Sequence, residues 1–327
     1  MESAVKSAVK SPVESSVESE QARPRLEENP PWPDGARCAV VVTVNLDAEL
    51  FWLRLDESCH ERPKTLSMGE YGPKRGAPRM LDALDAAGVR ASWMIPATVA
   101  ERYPETVRDV AARGHEIGSR GDALEDYATL DAEGQRRAIE RSARVLEDIS
   151  GRRPTGFRPP SAEIGDDTAG VLGELGFTWT SLARGDDRPT LLHPATGPGA
   201  TPLVDVPAHW ELNDFPRFMF NYGPAYPAGQ VRIAGYRQTL DDWCAEFDAY
   251  HGYGLCCVIT LEPSCIGKPG RIGVLEEFLA YMRRRRDVWF ATGAEVARWW
   301  RSLDRPNDPG SSEEVRHRTD PQRAVAG

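Results

Sequence analysis

The chain has 327 residues, enough for one large α/β domain or two small ones, and its 28% charged and 40% hydrophobic residues are the balance of a globular protein. Fifty Asp and Glu against 40 Lys and Arg leave a formal net charge of −10, which argues against nucleic acid and against an anionic membrane surface as partners. No apolar run reaches the ~20 residues of a membrane span, no secretory leader opens the chain, and its six cysteines include no CxxC pair; a cytoplasmic protein with reduced thiols is expected.

Residues 1–36 carry an imperfect Ser/Val/Lys/Glu repeat, SAVKSAVKSPVESSVESE, and then a Pro-rich stretch. Such a segment buries too little apolar surface to offset its ordering entropy, so a disordered tail is expected there. CAVVVTVNL (38–46) reads as a buried strand, 77–87 as a helix and ASWMIPA (91–97) as a second strand. A helix is expected over 98–113, ending at Gly114, followed by a short HEIG segment. The helix over 131–150 stops at Gly151. FTWTSL (177–182), LCCVITL (255–261) and DVWFAT (287–292) are further strands, with helices near 166–175, 238–250 and 272–285. The run Arg283–Arg286 ends the last of these and reads as a solvated helix terminus. From about 304 to 327 the chain is polar, and a flexible tail is expected. The folded unit is thus 37–303, a single domain without an internal linker.

Repeated βα units with fully apolar strands imply parallel strands covered by helices on both faces or closed into a barrel, and an α/β barrel is expected. In such folds the chemistry sits at the carboxyl ends of the strands. That rule selects residues 45–49, 96–98, 116–125, 158–161 and 262–265.

The same strand ends carry a family resemblance. TVNLDAE (43–49), RGHEIGSRGDALED (113–126) and GFRPPS (156–161) resemble, in order, the first three motifs of the NodB-type polysaccharide deacetylases. The branch is the one with peptidoglycan-deacetylase-like and allantoinase-like members. YGPKRGAPRMLDALDAAGVRASWMIPA (71–97), DDRP (186–189), PAHWELNDFPRF (207–218), TLEPSCIGKPGR (260–271) and VWFATGAEVARWW (288–300) continue it across nearly all of 37–303. The resemblance implies an α/β fold, a distorted (β/α) barrel of about seven parallel strands.

It also implies a zinc site: a first-motif Asp as general base, a second Asp and two His at H-x-x-x-H spacing as ligands, a late His as general acid and a third-motif Arg. Here the base position is Asn45, whose amide cannot take a proton. Asp47 remains as the site carboxylate, and Arg158 matches the third-motif Arg. The His-ligand positions correspond to Arg120 and Leu124, and Glu262 replaces the late His. Independently, the six His (60, 115, 193, 209, 251, 317) include no pair three or four residues apart, so no local two-His zinc site can be built. No metal and no cofactor is expected.

Asp47, Glu262, Arg120 and Arg158 are the candidate catalytic residues. Arg120 either fills the vacated metal position as an ion pair with Asp47 or anchors a substrate anion. Glu262, after an apolar strand, either works as an acid or base or balances a nearby Arg. Asn45, Glu49, Trp93, Glu116, Asp122, His209, Trp210 and Asp214 are candidate substrate-binding residues, with Phe215 as a further wall. Glu49, Glu116, Asp122 and Glu125 with Asp47 read as an acidic group at one end, leaving an oxygen-ligand cation site open. His115 in its GHEIG turn reads as structural, and Cys265 is a candidate nucleophile without a neighbouring His in sequence.

Three functions are compatible with these residues. One is acid–base chemistry of lyase, dehydratase, isomerase or cyclase type on a small-molecule substrate, with Arg120 stabilising an anion. The second is hydrolysis of a non-peptide C–N bond, and the third is a non-catalytic binding protein on the same fold. A homo-oligomer is left open.

Overall fold

All eight residues of CAVVVTVN are buried, on both faces of the strand. A strand apolar on both faces belongs in the middle of a parallel sheet with helices outside it. The structure, a computed structural model, describes residues 32–160, 163–165, 167–182, 185–192, 202–228 and 232–303.

In chain order, β1 (Cys38–Asn45) is followed by α1 (Leu50–Leu55), α2 (Pro63–Tyr71), a π-helical turn at Gly72–Gly76 and α3 (Ala77–Ala87). Then come β2 (Ser92–Ile95), α4 (Ala97–Arg102), α5 (Pro104–Ala112), β3 (Glu116–Ser119), α6 (Ala132–Ser150) and β4 (Gly156–Phe157). α7 (Thr168–Glu174) leads to β5 (Trp179–Thr180), β6 (Thr190–Leu192) and β7 (Leu203–Asp205). α8 (Phe215–Phe218) precedes a small hairpin, β8 (Asn221–Tyr222) and β9 (Ala225–Tyr226). The last units are α9 (Tyr236–Tyr253), β10 (Cys256–Leu261), α10 (Ile272–Arg283), β11 (Val288–Ala291) and α11 (Gly293–Arg301).

The strands form one curled, mostly parallel sheet in the order β10-β1-β2-β3-β4-β5-β7-β6, with β11 also on β1. Only β6 runs antiparallel, against β7. Seven parallel strands therefore follow the curve, which is the distorted barrel the sequence implies. Irregular chain spans the remaining gap. Thr260 N donates to Leu212 O (2.9 Å), Asp214 N donates to Thr260 O (3.2 Å), and Asn213 bridges Thr260 in parallel sense.

Local signals explain most boundaries. Asp131 caps α6 by accepting from Gly134 N, and Gly151 ends it with φ 74°. The expected helix over 98–113 is two helices, because Pro104 disfavours helical backbone at Tyr103 (φ −127°, ψ 53°). Trp32, placed in the N-terminal tail by the sequence reading, is buried against Trp289 and Trp300 and donates Nε1 to Gly254 O. The rest of the expected tails, 1–31 and 304–327, and Ser161 lie outside the described residues. Among the described residues no helix is long and apolar enough to cross a membrane.

The turn after β10 packs directly on the π-helical turn. A Cβ on Gly76 would lie 2.0 Å from Pro263 O, a backbone atom that cannot swing aside. Gly76→Ala is expected to cost about 1–3 kcal/mol by overpacking, read as a lower urea midpoint. Gly273→Ala, with nothing within 4 Å of the new Cβ in α10, should be neutral or mildly stabilising.

Candidate active site

The chain leaves β1 through a sharp turn that aims Asp47 into the barrel mouth. Ala48 adopts φ 49°, uncommon for a residue with a side chain, and Leu50 N closes the turn on Asp47 O at 3.1 Å. Gly69 of α2 makes room for it, since a Cβ there would stand 2.5 Å from Ala48 O.

Arg120, just past β3, meets Asp47 in a two-pronged ion pair. Nε donates to Oδ1 at 2.5 Å and Nη2 to Oδ2 at 2.9 Å, while Nη1 donates to Pro159 O at 2.8 Å. The two residues are 4% and 5% exposed, so this charge pair is out of water. Fork-on-fork geometry of this kind suits the planar guanidinium.

Arg158, past β4, donates Nη1 to Thr43 Oγ1 (2.8 Å) and to Asn45 Oδ1 (3.2 Å), and Nη2 to Ser181 Oγ (3.2 Å). Because the Asn45 oxygen faces this cation, its NH2 is the group that donates to Glu262. Glu262 follows β10 in a turn hung on Asp214, whose carboxyl accepts from Glu262 N (2.9 and 3.1 Å) and Ile266 N (3.0 Å).

Burial dominates the protonation of both carboxyls. It pushes Glu262 well above the usual carboxylate range, the neighbouring Asp47 charge adds to the rise, and Arg120 only partly opposes it. Burial beside the Asp47 charge thus favours the protonated form of Glu262. Burial pushes Asp214 up to about 8, against the pull of the N–H groups of Glu262 and Ile266 and the charge of Arg271.

These groups line a cavity of about 180 Å³. Asn45, Asp47, Arg120, Arg158, Thr260 and Glu262 are polar members of its lining. Phe51, Phe215 and Tyr226 form an aromatic wall, packed edge to face at 4.8, 5.0 and 5.3 Å between centroids. His209 and Trp210 complete it, with Trp210 49% exposed.

The structure thus brings together Asn45, Asp47, Arg120, Arg158, His209, Trp210 and Glu262, and it places the other five candidates elsewhere. Glu49 is held by Tyr103 Oη (2.6 Å) and Arg102 (2.8 Å). Trp93 is fully buried in the core among β1 and β3 side chains, because β2 is apolar on both faces. Glu116 starts β3, at the opposite end of that strand from Arg120. It accepts from Ser92 Oγ (2.6 Å), Trp179 Nε1 (2.8 Å) and Ala294 N (3.2 Å). Asp122 pairs with Arg141 and Thr98 outside the cavity. Asp214 lies behind the wall and positions Glu262 through the backbone. The acidic group expected at one end is dispersed: Glu125 accepts from Asp122 N and Ala123 N, and each other member has its own partner. Cys265 is fully buried with a thiol pushed well up by burial, so it is not a nucleophile. Sequence reasoning missed Thr43, which opens the TVNLDAE stretch but was not singled out, and Ser181, Phe51 and Tyr226, which lie in no motif and reach the site through the sheet register, α1 and the hairpin.

The residues around Asp47 do not fit zinc. Both its oxygens are taken by a guanidinium, which supplies no lone pair. The second position where the resemblance asks for a ligand is Leu124, an apolar side chain in left-handed backbone (φ 58°) that does not line the cavity. Among the described residues no three His, Cys, Asp or Glu side chains are grouped to hold an ion.

A curled parallel barrel with its charged groups at the carboxyl ends of β1, β3, β4 and β10 is the architecture of a deacetylase-type fold. The polysaccharide deacetylase family pattern matches residues 60–180. A Mycobacterium smegmatis structure described as a polysaccharide deacetylase is 33% identical, covers 85% of this chain and 96% of its own, and superimposes with a TM-score of 0.79. The structure of PuuE allantoinase is 25% identical, covers 86% and 95%, and gives 0.71. A peptidoglycan deacetylase-like protein of Gibberella zeae is 26% identical over 290 residues, 80% of this chain and 86% of that protein. The chain belongs to the NodB-type polysaccharide deacetylase family.

Removing one partner of the buried pair leaves the other charge uncompensated. Arg120→Met is expected to cost about 3–5 kcal/mol in chemical denaturation. The double variant Arg120→Met/Asp47→Asn should recover most of that loss; a double variant as unstable as the single one would show that the pair is not what Asp47 needs.

Proposed function

We propose that the chain is a metal-independent acid–base enzyme of this family that acts on a small molecule, with Glu262 as its proton donor. The observation that carries this reading is the setting of Glu262: a buried carboxyl in the cavity wall, hydrogen-bonded by Asn45, on a turn hung from Asp214, and kept neutral chiefly by desolvation. The cavity's size also favours a small ligand, since about 180 Å³ falls below the roughly 300–1,000 Å³ of drug-sized sites. Arg120 is committed to Asp47 and Pro159, so it acts on a substrate through its field rather than as a two-pronged clamp. Arg158 and Asn45 place N–H donors beside the same cavity, where an oxygen gaining negative charge would be stabilised. Lyase, dehydratase, isomerase or cyclase chemistry draws on a proton donor and oxyanion stabilisation of this kind.

The names of the relatives favour a second reading, hydrolysis of a C–N bond in a small molecule. It asks for a base to activate water; Asn45, at the family's base position, cannot take a proton, and Asp47 has both oxygens on Arg120.

The protonation of Glu262 is testable without a substrate. A folded-state pKa above the ordinary value of about 4.3 means that the native chain holds a proton the unfolded chain has lost. Stability is therefore lost as pH rises from about 4.3 toward the raised folded value, and Glu262→Gln removes that loss. Urea denaturation at pH 5 and pH 8 should show Glu262→Gln gaining on the wild type at the higher pH. Parallel behaviour would mean an ionised Glu262 and end its role as acid. Elemental analysis of protein purified without chelators should find far less than one zinc per chain; stoichiometric zinc would overturn the metal-free reading.

A further inference from the structure

His209 lines the same cavity as Glu262 and has a defined tautomer. Its Nε2 lies 3.0 Å from Asp186 O and 3.3 Å from Asp187 Oδ1. Both are acceptors, so Nε2 is the nitrogen that donates, and Nδ1 takes no part in these two contacts. Asp187 is itself approached by Tyr250 Oη of α9 at 3.4 Å. A carboxylate behind one imidazole nitrogen orients the ring and strengthens the other nitrogen as a base.

The remaining titratable side chains of the cavity are unsuited to that task. Asp47 has both oxygens on Arg120, Glu262 is the acid of the reading above, its protonated form favoured by burial, and Glu163 is solvent-exposed. Tyr226 stays a phenol, its hydroxyl pushed up to about 12 by burial.

We propose that His209 is the base that works with Glu262, and that the substrate is a small carbonyl compound bearing a C–H next to the carbonyl. This rests on the reading of Glu262 as the acid. His209 Nδ1 takes the α-proton, and the C–H electron pair becomes the C=C bond of the enol. The carbonyl π pair moves onto oxygen, which takes the proton of the Glu262 carboxyl and leaves a carboxylate. Return of a proton from the imidazolium to carbon, and of the hydroxyl proton to Glu262, closes a cycle of α-proton exchange with no oxidant, water or co-reactant. Asp187 is a positioning residue in this scheme.

The test incubates the full-length protein in D2O with millimolar α-hydroxy ketones, 2-oxo acids, β-keto acids, simple amides and cyclic ureides, followed by ¹H NMR. The wild type is expected to replace the α-hydrogen of at least one carbonyl compound by deuterium, and His209→Gln to slow that exchange by about 100-fold or more. Asp187→Asn should lower the exchange rate without changing the half-saturating concentration, and the melting curves of both variants should match the wild type. Exchange that persists in His209→Gln but is lost in Glu262→Gln overturns the base and leaves the acid standing. Conversion of an amide or ureide without exchange at carbon, still dependent on Glu262, overturns this substrate class alone. No change in any compound relative to buffer overturns both.

Discussion

A guanidinium and a carboxylate buried together at the mouth of the barrel set the terms for the rest of the site. Arg120 engages both oxygens of Asp47 and reaches on to Pro159 O, tying the end of β1 to the chain beyond β3 and β4. Away from water each charge alone would be costly, so the two hold each other in place. The pair takes up both oxygens of Asp47, the carboxylate that the family resemblance would assign to a metal. It also keeps a negative charge close to Glu262, and that charge helps to keep the Glu262 proton on.

Asn45 translates this arrangement into chemistry. Its oxygen faces Arg158 and its NH2 faces Glu262, so one amide links the cation past β4 with the acid past β10. An aspartate there could take a proton; the amide cannot, and its two ends instead face Arg158 and Glu262. Asp214, out of the cavity, controls the same acid by holding its backbone turn. Proton chemistry at this site is a property of burial and neighbours rather than of any one residue.

Much of the barrel was legible because parallel strands covered on both faces must be apolar throughout, and β1, β2 and β10 are. Caps such as Asp131 and Gly151 mark helix ends by local backbone chemistry. Short elements with little pattern were not legible: α1, α2 and the hairpin β8–β9 owe their form to what they pack against. The carboxylates show the limit most clearly. Position near a strand end suggested that Glu49, Glu116, Asp122 and Asp214 serve the cavity. Each is held instead by Tyr103, Trp179, Arg141 or backbone N–H groups distant in sequence.

By itself the sequence determined the run of βα units and which residue types stand at the strand ends, Asn45, Asp47, Arg120, Arg158 and Glu262 among them. These follow from residue type and short-range order, which folding does not alter. Only the tertiary structure decided that Arg120 closes on Asp47, that Glu262 is buried beside that pair and that His209 shares its cavity. Such facts depend on which groups lose water together and which donors reach them, and strands far apart in sequence meet there only when the sheet curls.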